Sequence, residues 1–192
     1  HKTELLANGW KFLGDSGKNN PNGYYGVAYE YKNPNDPTDP RNGEIVIAHR
    51  GTEFDKKEDI LTDLLIGANI LPSQFSSAKT FLDSVALATG ELKSNITNVG
   101  HSLGGCLSDL VAIANRGESI SINAPGVKNL LPKLENYMGV ESGTYTNKDY
   151  TDSITNFDAV GDMVSHIKEN VGTMYQFRLE ETIPETSTFD RH

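Results

Sequence analysis

The six residues Gly100-His101-Ser102-Leu103-Gly104-Gly105 constrain this chain more than any other stretch. They stand between Ile96–Val99, a short run with strand character, and a segment in which Leu103, Cys106, Leu107, Leu110, Val111 and Ala114 repeat with the period of a buried helix face. A strand that becomes a helix within so few residues must turn very sharply. Side chains at the positions flanking the serine would strike neighbouring backbone, which favours glycine at 100 and 104. Ser102 then projects from the tip of the turn. The amide of Leu103 and the positive end of the helix macrodipole face the same space, where an oxyanion can develop. A glycine-rich turn with an incidental serine does not account for strand, helix and Gly105 together.

The rest of the chain reads as strands alternating with helices. Leu6, Trp10 and Leu13 share a helical spacing, which predicts a short helix over Thr3–Leu13. Tyr25, Val27, Tyr29 and Tyr31 share one parity, as a half-buried strand requires. The loop from Asn33 to Asn42 carries Pro34, Pro37 and Pro40 and cannot be a central strand. Glu44–His49 is a nearly continuous apolar strand, and Phe75, Ala78, Phe81, Leu82 and Val85 mark a helix face that Gly90 can cap. Further strands are expected at Ser119–Asn123, Ser153–Phe157 and Met174–Leu179. The pattern predicts one α/β domain over residues 1–192, a mostly parallel central sheet with helices on both faces and its chemistry at the carboxyl ends of the strands.

Composition narrows the partners. A formal net charge of −9, with no long basic run, gives no source for the counterion release that drives nucleic-acid binding. It also disfavours electrostatic adsorption to anionic lipid, so a transient contact with a lipid interface needs a local apolar surface. Cys106 is the only cysteine, which excludes an internal disulfide and a cysteine-based metal site. No apolar run approaches the length of a membrane span, and the start has no signal-like apolar core.

Four segments together resemble the class 3 lipase family, in the fungal-lipase-like part of the α/β-hydrolase superfamily. They are Ile45-Val46-Ile47-Ala48-His49-Arg50-Gly51-Thr52, Asp59-Ile60-Leu61-Thr62-Asp63-Leu64, Gly100 to Gly105, and Asn123-Ala124-Pro125-Gly126-Val127. The resemblance runs from Glu44 to Asp162 and keeps the family's motif order. It implies an α/β-hydrolase fold and an ester hydrolase of the lipase or phospholipase A type, either secreted or delivered as an effector. It implies that Thr52 shares the oxyanion hole with Leu103. The segment Phe54–Pro72 falls where the family has a lid, and its apolar residues suit either an acyl contact or a wall of the core. His49 departs from the family's apolar or aromatic residue and is expected to be packed. Arg50 and Asp63 match the family, and a guanidinium–carboxylate bridge between them would hold the Thr52 loop.

A serine nucleophile needs a base and an orienting acid, in the chain order Ser, Asp or Glu, His. After Ser102 the histidines are His166 and His192, and the carboxylates near a strand end are Asp158 and Asp162. The resemblance places the acid at Asp162 and gives His166 a noncatalytic position, leaving His192 as the base by order. Such a triad needs neither metal nor cofactor. Two other readings stay open: a catalytically silent hydrolase fold that serves as a binding module, and an amidase or peptidase with the same triad. Triacylglycerol, phospholipid and small esters are not separated by sequence, nor is oligomeric state.

Overall fold

The structure is a computed structural model and describes residues 5, 7–51, 70–162, 164 and 167–178. Its frame is a seven-stranded sheet whose spatial order follows the chain, β1 (Trp10–Asp15), β2 (Gly26–Tyr31), β3 (Ile45–His49), β4 (Ile96–His101), β5 (Ser119–Ile122), β6 (Ile154–Ala159) and β7 (Thr173–Phe177). The first two pairings are antiparallel and the four from β3 to β7 are parallel. Among the described residues three α-helices connect the parallel strands: α1 (Phe75–Thr89), α2 (Leu103–Asn115) and α3 (Leu131–Met138).

The expected helix over Thr3–Leu13 is corrected, because Trp10–Asp15 is an edge strand. Gly9 at φ 88° interrupts any helix before it, and Trp10 and Phe12 meet Tyr31 and Tyr29 of β2 edge to face, at 5.3 and 5.7 Å. These cross-strand aromatic pairs outweigh the helical spacing of three apolar residues. The other expected elements form near their bounds, and α3 is an addition that sequence reading did not predict. Gly90 closes α1 in the left-handed conformation at φ 74°, as a helix C-terminus favours.

One face of the sheet supplies Ile45 and Ile47 from β3, Ile96 from β4 and Ile154 from β6 to a core that α1, α2 and α3 seal. α2 is buried along nearly its whole length, which matches its continuous apolar pattern. On the opposite face Ile122, Phe157 and Tyr175 stand in register across β5, β6 and β7, with Phe157 and Tyr175 stacked at 5.4 Å. Among the described residues no helix lies over them, and Tyr175 is 54% exposed.

The covered face also holds polar side chains at strand positions that would suit apolar ones. Asp109 of α2 accepts a hydrogen bond from the Ser119 hydroxyl at 2.7 Å. Burial raises its carboxyl to about 7, with Asp158 adding to the rise and the Ser119 and Ser121 hydroxyls opposing it. Ser121 donates to Asn156 at 3.0 Å, and the Asn156 side-chain amide donates to the Val171 and Thr173 carbonyls at 2.8 and 3.2 Å, so the bonds run from β5 through β6 to the start of β7. His49, at the end of β3, is 3% exposed, and burial lowers its imidazole to about 4 against a weaker opposing bond with Asn98.

Two pH dependences follow, with opposite signs. Asp109 titrates higher folded than unfolded, so its contribution is full below about pH 4 and is lost as pH rises through about 7. Asp109→Asn removes that loss, and thermal unfolding is expected to show the variant gaining on the parent from pH 5 to pH 8. His49 titrates lower folded than unfolded, so the folded state loses stability as pH falls from about 6.5 to about 4. Urea unfolding at pH 7 and pH 4 is expected to show the parent losing about 3 kcal/mol relative to His49→Leu.

Candidate active site

Ser102 sits where β4 ends and α2 begins, with φ 56° and ψ −130°. A non-glycine residue at positive φ with this ψ is strained by about 1–3 kcal/mol and persists only when its surroundings over-determine it. The Ser102 amide donates to the Ile122 carbonyl of β5 at 3.0 Å, and its carbonyl accepts from Gly105 and Cys106 at 2.9 and 3.2 Å. Two glycines then remove the obstacles. A Cβ on Gly100 would fall onto the Gly104 carbonyl and 2.6 Å from the Gly105 amide. A Cβ on Gly104 would fall onto the His49 carbonyl oxygen and 2.8 Å from the Gly51 amide. The turn is therefore pressed against the end of β3, and only glycine at 104 permits that approach.

Leu103 is the first residue of α2, so its amide has no acceptor inside the helix and points from the same end as the Ser102 side chain. Ser102 is partly accessible, while His101 beside it is exposed. Cys106, one turn into α2, is buried, and desolvation pushes its thiol up to about 12, with Asp109 adding and Lys168 opposing. It is a core residue, as expected from its place on the helix face.

Asp162 lies just past the carboxyl end of β6. Its amide donates to the Ala159 carbonyl at 3.0 Å, and its Oδ1 accepts from the Val164 amide at 2.8 Å. Its half-buried carboxylate thus belongs to the same sheet edge as Ser102, two strands away. Asp158, the other acid considered, sits within β6 on the helix-covered face, 3% exposed and accepting from Asn170 at 3.2 Å. The carboxyl ends of β5 and β6 are joined by Asn123, at φ 46°, whose amide donates to the Phe157 carbonyl at 2.9 Å and whose side-chain oxygen accepts from the Ala159 amide at 2.7 Å. Thr52, Asp63, His166 and His192 lie outside the described residues, as does most of Phe54–Pro72.

Arg50 is placed by the chain that precedes β2. Its amide donates to the Tyr25 carbonyl at 2.9 Å and its guanidinium lies 5.2 Å from the Tyr25 ring centre. His49 is packed, as expected, but also hydrogen-bonded at both ring nitrogens: Nδ1 is 2.9 Å from the Tyr24 hydroxyl and Nε2 is 3.0 Å from Oδ1 of Asn98. Sequence reasoning passed over Tyr24, Asn98 and Asn123. Asn98 offered a signal, an inward-facing amide in a central strand that must find buried partners.

No curated protein sequence matches the chain. Among solved structures, an extracellular lipase from Serratia marcescens aligns at 18% identity and a TM-score of 0.47, over 88% of this chain and 30% of its own. This chain thus spans less than a third of that lipase. A hyperthermophilic esterase from Pyrobaculum calidifontis and a carboxyl esterase from Tuber melanosporum align at 12% identity and a TM-score of 0.37, each over 88% of this chain and over 75% and 76% of theirs. A family model described as a Tle-like phospholipase domain matches residues 22–187, from the turn before β2 to beyond β7. With that match over most of its length, the chain belongs to the Tle-like phospholipase domain family.

Proposed function

We propose that this chain cleaves acyl ester bonds of phospholipids or closely related lipids through an acyl-enzyme on Ser102, with His192 as the base and Asp162 orienting it. The observation that carries the reading is the strained positive φ of Ser102 at a strand-to-helix turn, held by glycines at 100 and 104. Such strain serves a nucleophile by holding its hydroxyl clear of the helix, beside an amide with no intrahelical acceptor.

In this mechanism His192 takes the Ser102 proton as the hydroxyl oxygen attacks the ester carbonyl. The amides of Leu103 and Thr52 stabilise the tetrahedral oxyanion, and the histidine returns the proton to the leaving alcohol. Water activated by the same histidine then hydrolyses the acyl-serine. Reach permits His192. β7 runs parallel to β4 and leaves the sheet at the edge where Ser102 lies, three strands away, or about 14 Å. His192 follows Phe177 by 15 positions (192 minus 177), and a chain of that length extends to as much as about 50 Å.

Acyl contact is supported by a cavity of about 420 Å³ in which Ile70, Leu71, Pro72, Phe75 and Tyr137 stand beside Ser73, Ser76, Lys133 and Asn136. It opens at the start of α1, where Asn22 donates to the Ser73 carbonyl at 2.9 Å, and Asn22 precedes the strand whose first residue pairs with His49. The cavity therefore lies toward the same edge of the sheet as Ser102. Its apolar residues offer contact to an acyl chain and its polar ones to a headgroup.

The test is hydrolysis of para-nitrophenyl esters of short and long acyl chains, and of phosphatidylcholine vesicles, by the protein and its variants. Ser102→Ala and His192→Ala are each expected to lower kcat by at least about 10³-fold with the folded spectrum intact, and Asp162→Asn to lower it with little change in KM. Activity that survives Ser102→Ala would sink the proposal. Retention in His192→Ala with loss in His166→Ala would transfer the base to His166, and release of para-nitrophenol without vesicle hydrolysis would restrict the substrate to small esters.

A further inference from the structure

We infer that Tyr24, His49 and Asn98 form a buried positioning device for the oxyanion side of the Ser102 site, a hydrogen-bonded chain that fixes the end of β3, from which Arg50 and Gly51 lead in sequence to Thr52. The inference rests on the reading of Ser102 as the nucleophile. It deepens that reading by naming what holds one of the two oxyanion donors in place.

The hydrogen bonds have a definite direction. The Asn98 side-chain nitrogen donates to the Ile96 and Glu118 carbonyls at 3.2 and 3.4 Å, so its Oδ1 faces His49 and can only accept. Nε2 of His49 therefore carries the proton, and Nδ1, left as an acceptor, receives the Tyr24 hydroxyl. This is the neutral imidazole with both nitrogens satisfied, one toward the chain preceding β2 and one toward β4. A ring tied on opposite sides cannot turn without breaking a buried bond, which costs about 1–3 kcal/mol for each group left unsatisfied.

The backbone carries this restraint to the site. His49 is the last residue of β3, paired with Gly26 of β2 on one side and Gly100 of β4 on the other. Its carbonyl oxygen is the group that leaves no room for a Cβ on Gly104, and a Cβ on Gly51 would lie 2.7 Å from the His101 carbonyl oxygen. The end of β3 and the Ser102 turn thus interlock in both directions. Tyr25 next to Tyr24 holds the Arg50 amide, so one dipeptide grips His49 by its ring and Arg50 by its backbone. A displacement of His49 passes directly to Arg50 and Gly51, both held by backbone contacts, and an oxyanion donor acts only when aimed at the developing charge. An apolar side chain would fill the same volume and keep the core, but it would lack the directional bonds that set the ring and the backbone behind it.

His49 is a positioning residue, since it is buried and is placed away from the reacting atoms. The decisive variant is Tyr24→Phe, which deletes one oxygen, accompanied by His49→Leu and the more conservative His49→Gln. Each is titrated with a fluorophosphonate that labels Ser102, and kcat and KM for a para-nitrophenyl ester are then expressed per labelled site. Tyr24→Phe is expected to lower kcat per labelled site about tenfold with KM within about twofold, and His49→Leu to lower it further, with His49→Gln recovering part of the loss. If Tyr24→Phe and His49→Gln lose only labelled sites, with kcat per site unchanged, the residues are merely structural and the inference falls. Failure of the parent to label at Ser102 would instead overturn the nucleophile reading on which it rests. Should His49→Leu not fold, Tyr24→Phe and His49→Gln decide the question alone.

Discussion

The close approach of Gly104 to the end of β3 is the contact on which the rest depends. It lets the helix after Ser102 begin against the end of the strand that leads to Arg50 and Gly51, and so locks these two segments together at one edge of the sheet. The positive φ of Ser102 is the conformational cost of that arrangement. The offsetting terms are local: the Ile122 carbonyl below, the first turn of α2 ahead, and a helix buried along nearly its whole length. Strain at one residue is stable here because the surrounding core cannot relax around it.

Polar groups continue this logic beneath the sheet. Where β3, β4, β5 and β6 approach their carboxyl ends, positions that face the helices carry His49, Asn98, Ser121, Asn156 and Asp158 in place of aliphatic side chains. Each adjacent pair of strands from β3 to β6, except β4 and β5, is tied by a side-chain bond or by the Asn123 clamp, and β4 is joined to β5 by the Ser102 amide itself. Aliphatic packing would hold these strands together but would tolerate small sliding. Directional bonds fix register at the edge where geometry matters to the chemistry. The bonds also bring titratable groups into the interior, His49 held neutral by burial and Asp109 shifted toward neutrality.

Much of this was legible in the residues. The strand-to-helix turn, the period of α2 and its glycines at 100 and 104 fixed the location of Ser102, and Asp162 falls at the edge that chain order and family resemblance implied. The N-terminal segment was misread because helical spacing of Leu6, Trp10 and Leu13 is a local signal, while the strand at Trp10–Asp15 depends on aromatic partners in β2. The belt from His49 to Asn156 was not legible for a related reason. A single polar residue in a strand carries no mark of its partner, and each of these finds its partner on a different strand. The family match confirms the phospholipase-like group, while the roles of Thr52 and His192 stand on chain order, reach and resemblance.

The β3–β4 pairing carries a consequence for how the protein acquires activity. Ile45 pairs with Ile96, 51 positions further along the chain (96 minus 45), whereas β1, β2 and β3 are joined by short local connections. Non-local parallel pairing forms slowly because the loop must close before any contact rewards it. The contacts that force Ser102 into its strained state exist only after that closure, since they come from the end of β3 on one side and from Ile122 of β5 on the other. A partly folded chain can therefore hold its local meander and its helices and still lack the strained turn at Ser102. That turn arrives only with the long-range register, which makes its positive φ a late reporter of complete folding.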